Sequence, residues 1–394
     1  MSDLHLTSSF GHCALRVRHY HPKSALRAWD AADEYVLQYL AELACFKSTE
    51  NEIADSSGKK LLLVNDACGA LACSLRAFDP VSWGDQETGR LTLAENLVRN
   101  GQPADAVPFV PGDQVPGGRY DRVVIKLPKT LSLLRWQLSQ LAPLLAENAW
   151  VVGAGMVKHM SKSMVEAFTE WVGPATTSLA WKKARLIFSQ PEGTRFAPEA
   201  QPVEYVIPDT SLRLLNYANV FSQHKMDIGT RFLLAHFPDL SKAQSVVDLG
   251  CGNGALGVFA ASRYPHLKLY FLDDSYLALK SAQASFCVNG LGEGAEFIPS
   301  DALCHFPETA VPVDAVLCNP PFHEGNKVHT DIALRMFQQA SRILSPEGGL
   351  HVIANRHLGY ATPLKKWFHS VSVVASNGKF VVIRADYPRQ DKTG

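Results

Sequence analysis

Two segments of this chain share one outline, and that outline limits the possible folds more than any other feature. SVVDLGCGNGALGVF (245–259) reads as a short apolar strand, a glycine-rich turn and a helix. LLLVNDACGALACSL (61–75) has the same shape. A second pair follows: VDAVLCNPPF (313–322) answers YDRVVIKLPK (120–129), each with an Asp early in an apolar strand and a proline just beyond it. An acid after a second strand also recurs, Asp85 in SWGDQ and Asp273 in YFLDD. Each acid precedes a helical stretch closing in Asn-Gly, at Asn100-Gly101 and Asn289-Gly290, a helix-ending signal. Each half then closes on a hairpin, 178–188 and 374–385, the second marked by its SNGK turn.

Strands alternating with helices predict a parallel sheet covered on both faces, with right-handed crossovers. The expected fold class is α/β, with two tandem Rossmann-like domains over 1–195 and 196–394. The join lies near 190–207, where QPEGTRFAPEAQP is rich in Pro, Gly and Gln. One domain with a long extension is the alternative. A chain of 394 residues is long enough for two cores. Lys plus Arg and Asp plus Glu both number 38, which excludes a wholly basic nucleic-acid coat but not a local basic patch. The eight cysteines form no CxxC pair, so they are expected as reduced thiols, mostly buried, and no zinc or other metal site is expected. The N-terminus shows no signal-peptide pattern, and the most apolar stretch, from Ala149, is about half a membrane span. The expectation is a soluble, cytoplasmic protein.

GCGNG (250–254) lies between a strand and a helix, so Gly250, Gly252 and Gly254 offer positive φ and close approach to the backbone. The helix N-terminus beyond them presents free N–H groups suited to a carboxylate or phosphate. Asp273 ends the second strand, 25 residues after Asp248, where an acid can accept from both ribose hydroxyls of a nucleoside cofactor. Asp301, after the third strand, is placed to accept from an adenine amino group. A tight packing turn and three solvated strand-end acids are the bland alternative.

Asn319-Pro320-Pro321-Phe322 leaves the apolar strand before it. Two prolines remove two N–H donors and stiffen an extended exit. The Asn319 side-chain carbonyl and the Pro320 backbone carbonyl would each accept from a planar NH₂ group, with Phe322 stacked on the ring. An exocyclic base amine or an amide nitrogen is a poor nucleophile, because its lone pair is delocalised. Two acceptors hold its hydrogens, aim the lone pair and disperse charge as the N–C bond forms. A sulfonium methyl held in line is a suitable electrophile, and a base pulled from its stack accounts for the aromatic.

With these residues in place, GCGNG, Asp273-Asp274 and NPPF resemble S-adenosylmethionine-dependent methyltransferases of amino nitrogens. NPPFHEG (319–325) and NVFSQHKMDIGTRFLL (219–234) are similar to bacterial ribosomal RNA guanine-N2 methyltransferases. AWDAADEYVLQ (28–38), VIKLPKTLSLL (124–134) and LAWKKARLI (179–187) look like the large-subunit member of that family rather than the small-subunit one. The likeness covers nearly the whole chain. It implies two tandem class I methyltransferase domains, the first degenerate, acting on guanine N2 in 23S ribosomal RNA. It also implies that Gly250, Gly252 and Gly254 line the methionine part of S-adenosyl-L-methionine. Asp248 would lie beneath the loop near the methionine amine, Asp273 at the ribose and Asp301 at the adenine. Asn319, Pro320 and Phe322 would hold the guanine, with Asp227 and Gly229 approaching the cofactor. The first half departs from this pattern: ACGA (67–70) keeps one glycine, and KLPK (126–129) lacks the Asn and the aromatic. No cofactor and no catalysis are expected there, only RNA positioning.

Four basic groups are candidates for phosphate: Arg16, Arg18, Lys23 and Arg27; Lys158, His159 and Lys162; Trp181, Lys182, Lys183 and Arg185; and Lys365, Lys366 and Trp367. Each taken alone reads equally as a solvated face. His323, His351 and His357 are read as structural or RNA-facing. Rival functions are methylation of small-subunit RNA, protein glutamine or DNA adenine. A non-catalytic RNA-binding assembly factor is the rival from another class, and a dehydrogenase is a distant third.

Overall fold

Leu61–Val64 is buried at every position, as a strand covered on both faces must be. In the computed structural model this strand lies inside one seven-stranded sheet, and a second seven-stranded sheet repeats the plan. The structure describes residues 4–21, 26–43, 60–193, 201–321 and 327–389, without the side chains of 327–329. The chain divides into two compact units, Met1–Ala200 and Gln201–Gly394.

The first unit runs β1 (His5–Ser8), β2 (Gly11–Ala14), α1 (Ala31–Glu42), β3 (Leu61–Val64), α2 (Ala70–Ser74), β4 (Val81–Gly84), α3 (Glu87–Arg99) and β5 (Phe109–Pro111). It continues with β6 (Tyr120–Lys126), α4 (Leu131–Leu141), β7 (Leu145–Met156), α5 (Lys162–Trp171), β8 (Ala175–Thr177) and β9 (Ala184–Ser189). The second unit runs β10 (Val203–Val206), β11 (Arg213–Asn216), α6 (Ile228–Ala235), β12 (Ser245–Leu249), α7 (Ala255–Arg263), β13 (Lys268–Asp273), α8 (Tyr276–Val288) and β14 (Ala295–Pro299). It ends with β15 (Val313–Cys318), α9 (Lys327–Ile343), β16 (Leu344–Asn355), α10 (Ala361–Leu364), β17 (Phe368–Ser376) and β18 (Phe380–Pro388).

The sheet orders are β5-β4-β3-β6-β7-β9-β8 and β14-β13-β12-β15-β16-β18-β17. In each sheet the first five strands in sequence pair parallel, and only the closing hairpin is antiparallel. The chain moves outward from β12 to β14 and then returns to the other side of β12 at β15. The crevice at the carboxyl ends of β12 and β15 is therefore a topological switch point, where open α/β sheets bind ligands. Alternate residues feed two cores: Val246, Phe271 and Leu317 face one, Val247, Leu272 and Val316 the other. Both Asn-Gly helix stops hold, since α3 and α8 are capped by Asn100 and Asn289. Both hairpins hold as well.

A two-stranded ribbon not anticipated from the sequence precedes each first sheet helix, β1–β2 and β10–β11. Ser281 and Ser285 on α8 fasten the second ribbon, accepting from Tyr217 N and Leu215 N at 2.9 Å each. The described cysteines are free thiols; Cys13, Cys251 and Cys318 are buried, but Cys287 and Cys304 are exposed. No described helix is long and apolar enough to cross a membrane.

Candidate active site

Gly250, Gly252 and Gly254 adopt φ of 71°, 56° and 80°, so the loop turns through left-handed backbone that side chains disfavour. Their duties differ. A Cβ on Gly252 would meet nothing within 4 Å, so its bare backbone borders open space that a ligand can enter. Gly257 serves packing instead: a Cβ there would lie 2.2 Å from the Phe271 ring, so α7 can close on the sheet only without one. Asn253 anchors the loop to the ribbon, donating to Tyr205 Oη at 2.7 Å and Asn216 Oδ1 at 2.8 Å.

Asp273 Oδ2 accepts from Gly252 N and Oδ1 from Ser275 N, both at 2.9 Å. Burial raises its pKa, while those N–H groups pull the other way. It stands at the end of β13 against the glycine loop. Asp248 is buried on the helix side: its Oδ2 accepts from Gly257 N at 2.8 Å. Burial pushes it up to about 8, the Gly257 N–H opposes this, and the Asp273 charge adds to it. That bond to Gly257 N supports the first turn of α7. Asp301 is buried and ion-paired with Arg335 of α9.

The clamp asparagine is held by a network. Asn319 Nδ2 donates to Thr230 Oγ1 at 2.9 Å and reaches Asp227 Oδ2 at 3.4 Å. Asp227 caps α6, accepting from Thr230 N at 2.8 Å. Both acceptors stand on the Nδ2 side, so the amide is oriented and its Oδ1 turns the other way. That Oδ1 is buried with no partner among the described residues. An unmet buried acceptor is costly unless a ligand completes it. The Asn319 backbone oxygen lies 4.0 Å from where a Cβ on Gly250 would be, which brings clamp and glycine loop together. Pro320 is buried beside it. Phe322 and His323 lie outside the described residues, as does Lys23.

Asp227 meets the clamp amide, and Gly229 is enclosed, since a Cβ there would lie 2.9 Å from Asp227 Oδ2 and 3.2 Å from Phe380. Thr230 and Arg335 were not singled out in the sequence. The D-x-x-T pattern opening an apolar run was the available signal for Thr230, because it marks a helix start. His351 is buried in β16; burial first, then Arg384, lowers its pKa to about 4, which fits a structural role.

The first unit carries the same positions with other chemistry. Val64 pairs with Ile125 as Leu249 pairs with Cys318. That register sets Asn65 at the place of Gly250 and Lys126 at the place of Asn319. Lys126 Nζ bonds Asp30 and Asp33 at 2.8 Å each, and Asp30 caps α1 as Asp227 caps α6. Burial disfavours the ammonium, but Asp33 and Asp30 outweigh it and raise its pKa. Asn65 keeps a positive φ of 61°, and its side chain bonds Lys126 O at 3.0 Å and Gln137 at 2.8 Å. The acids need one correction. Val64 pairs with Trp83 and Leu249 with Leu272, so Gly84 answers Asp273 and Asp85 answers Asp274.

Counted within each unit, the main-sheet order is 3-2-1-4-5-7-6. With a glycine loop and an Asn-Pro-Pro exit side by side at the switch point, it defines a class I methyltransferase, here built from two tandem domains with the first degenerate. Residues 4–193 match the family model described as the RLMG N-terminal domain, and residues 211–384 match the methyltransferase small domain. The chain is 42% identical over 381 residues to the ribosomal RNA large subunit methyltransferase G of Ectopseudomonas mendocina, covering 96% of this chain and 98% of that one. It is 41% identical over 366 residues to the protein of the same name from Shewanella amazonensis, covering 91% and 92%. Among solved structures, the T. thermophilus 16S rRNA N2 G1207 methyltransferase in complex with AdoMet and guanosine shares the fold. Its TM-score is 0.75 at 18% identity, with 97% of each chain covered. The chain belongs to the ribosomal RNA large subunit methyltransferase G family.

Proposed function

We propose that this chain transfers a methyl group from S-adenosyl-L-methionine to the exocyclic N2 of one guanine in 23S ribosomal RNA, and that the second unit carries the chemistry. The observation that carries this reading is the orphaned Asn319 Oδ1, buried and fixed in direction by Thr230 and Asp227. It is an acceptor made ready for an N–H that none of the described residues supplies.

The residues present fit the cofactor. Gly252 leaves open backbone for the methionine end, and Asp273 sits at the strand end for the ribose. When bound, S-adenosyl-L-methionine supplies a methyl group on a cationic sulfur. Asn319 Oδ1 and the Pro320 carbonyl hold the two N2 hydrogens and aim the nitrogen lone pair along the line of transfer. As the N–C bond forms, positive charge grows on N2 and both oxygens stabilise it. N2, held by Asn319 and Pro320, would take the methyl group and lose one proton to water, while the electron pair of the sulfur–carbon bond stays with the cofactor. Phe322 stacks on the base. Asp301, bonded to Arg335, borders the adenine side.

In this reading the division at 195/196 separates two roles. The first unit positions RNA, and the second binds cofactor and target base in the cytoplasm. Incubation with labelled S-adenosylmethionine, protein-free large- and small-subunit RNA, and Asn319→Ala as control tests it. N2-methylguanosine in large-subunit RNA alone, lost in the variant, is the expected result. Label in small-subunit RNA, or transfer that survives the substitution, overturns it.

A further inference from the structure

The first unit keeps a cavity close to its degenerate site, since Trp29 and Glu34 of the lining adjoin Asp30 and Asp33. This cavity has a volume of about 350 Å³, and Thr7, Ser8, Trp29, Glu34, Gln38 and Trp181 are among the residues that line it. Its rim is the turn joining Trp181 to Ala184. Those two residues exchange both backbone hydrogen bonds, at 2.9 and 2.8 Å, leaving Lys182 and Lys183 as a two-residue hairpin loop. Such loops demand positive φ at both positions and favour Asn-Gly. Here two lysines comply, at φ 46° and 64°. Each left-handed residue with a Cβ is strained, and such strain is retained where the surroundings fix it.

The surroundings do fix it. Lys182 Nζ lies 4.4 Å from the Trp181 ring centroid and 2.8 Å from Glu34 Oε2. Glu34 Oε1 accepts from Trp29 Nε1 at 3.3 Å, and Tyr35 lies 5.5 Å from the Trp181 ring. Trp181 is thereby held as a partly exposed aromatic wall. Lys183 is exposed and makes no ion pair among the described residues.

We infer that this cavity binds one unpaired base of an RNA strand, stacked on Trp181, with Lys183 on a flanking phosphate. The reading of the chain as a ribosomal RNA methyltransferase underlies this step. The aromatic wall favours a flat base over an acidic peptide, because a base can stack on Trp181; Glu34 itself is engaged by Lys182 and Trp29. Hydroxyls of Thr7 and Ser8 and the Gln38 amide complete an edge that both donates and accepts. Aromatic stacking beside a cation is how single-stranded RNA is held without regard to its sequence.

The test is the affinity of the full chain for a short fluorescent single-stranded oligoribonucleotide, over a range of salt. Trp181→Leu weakens binding about tenfold, and Trp181→Phe retains most of it. Lys183→Glu weakens binding and lowers the salt slope by about one. S-adenosylmethionine affinity is unchanged in all three. Native affinity in Trp181→Leu, or equal loss in the Leu and Phe variants with a matching fall in melting temperature, overturns the inference. So does a native chain that does not bind the oligonucleotide at low salt. The two readings fail separately. Undiminished kcat/KM on large-subunit RNA in Trp181→Leu removes the base site and leaves the methyltransferase standing. A native chain that binds the oligonucleotide through Trp181 but methylates no RNA does the reverse.

Discussion

The two sheets share one strand order, and their switch points differ by a handful of side chains. In the second unit an asparagine amide is steered by a helix-cap aspartate and a threonine, and its oxygen has no partner among the described residues. In the first unit the same three places hold Lys126, Asp30 and Asp33, which satisfy one another. Asn65 also stands where the second unit has Gly250, its side chain bonded to Lys126 O and Gln137. The degenerate site is completed internally rather than collapsed. A fold keeps its geometry when the incoming ligand's charges are replaced by its own.

The largest effect should come from crossing that difference at its centre. Asn319→Ala should lower methyl transfer about a hundred- to a thousandfold, while Lys126→Asn leaves transfer per folded molecule unchanged; single-turnover assays with both variants decide it. The second effect is on stability. Lys126→Met leaves buried Asp33, and the more exposed Asp30, without their cation, and should cost about 3 kcal/mol in denaturant unfolding. A neutral result would mean that the triad does not hold the first unit closed.

Buried acids sharpen the comparison further. Burial raises Asp248 to about 8, and burial with the Asp33 charge raises Asp66 to about 7. Each folded group keeps a proton that the unfolded chain releases above its ordinary 3.8. Stability therefore falls as pH rises from about 4 to the folded value, and Asp248 acts over the wider window. Asp248→Asn should flatten unfolding free energy between pH 5 and pH 8 by about 1–3 kcal/mol, measured by urea titration at each pH. The smallest effect is expected from Thr230→Val. Loss of the hydroxyl that orients Asn319 should lower kcat about tenfold, with S-adenosylmethionine affinity unchanged by calorimetry.

The parts legible in the sequence were those written in adjacent residues. The duplicated strand–turn–helix, the hairpins and the Asn-Gly stops each lie within a short window, where spacing fixes the local backbone. Partners far apart along the chain were not legible. Thr230 and Asn319 are separated by 89 positions, and Arg335 and Asp301 by 34, so only the folded sheet brings them together. The pairing of Asp85 with Asp273 failed for a related reason. A one-residue offset is invisible when two strands both end in acids, and only the hydrogen-bond register shows that Gly84 holds the position.

The closing hairpin has a consequence for how each unit is made. The last strand to leave the ribosome, β9 or β18, lies inside its sheet, between β7 and β8 or between β16 and β17. Until residue 189 has emerged, β7 presents an unpaired edge and β8 has no neighbour; the same holds for β16 and β17 until 388. Neither sheet can be completed from a partial chain. A nascent chain stalled between these points would carry one closed sheet and one open apolar edge, the state most exposed to misassociation during synthesis.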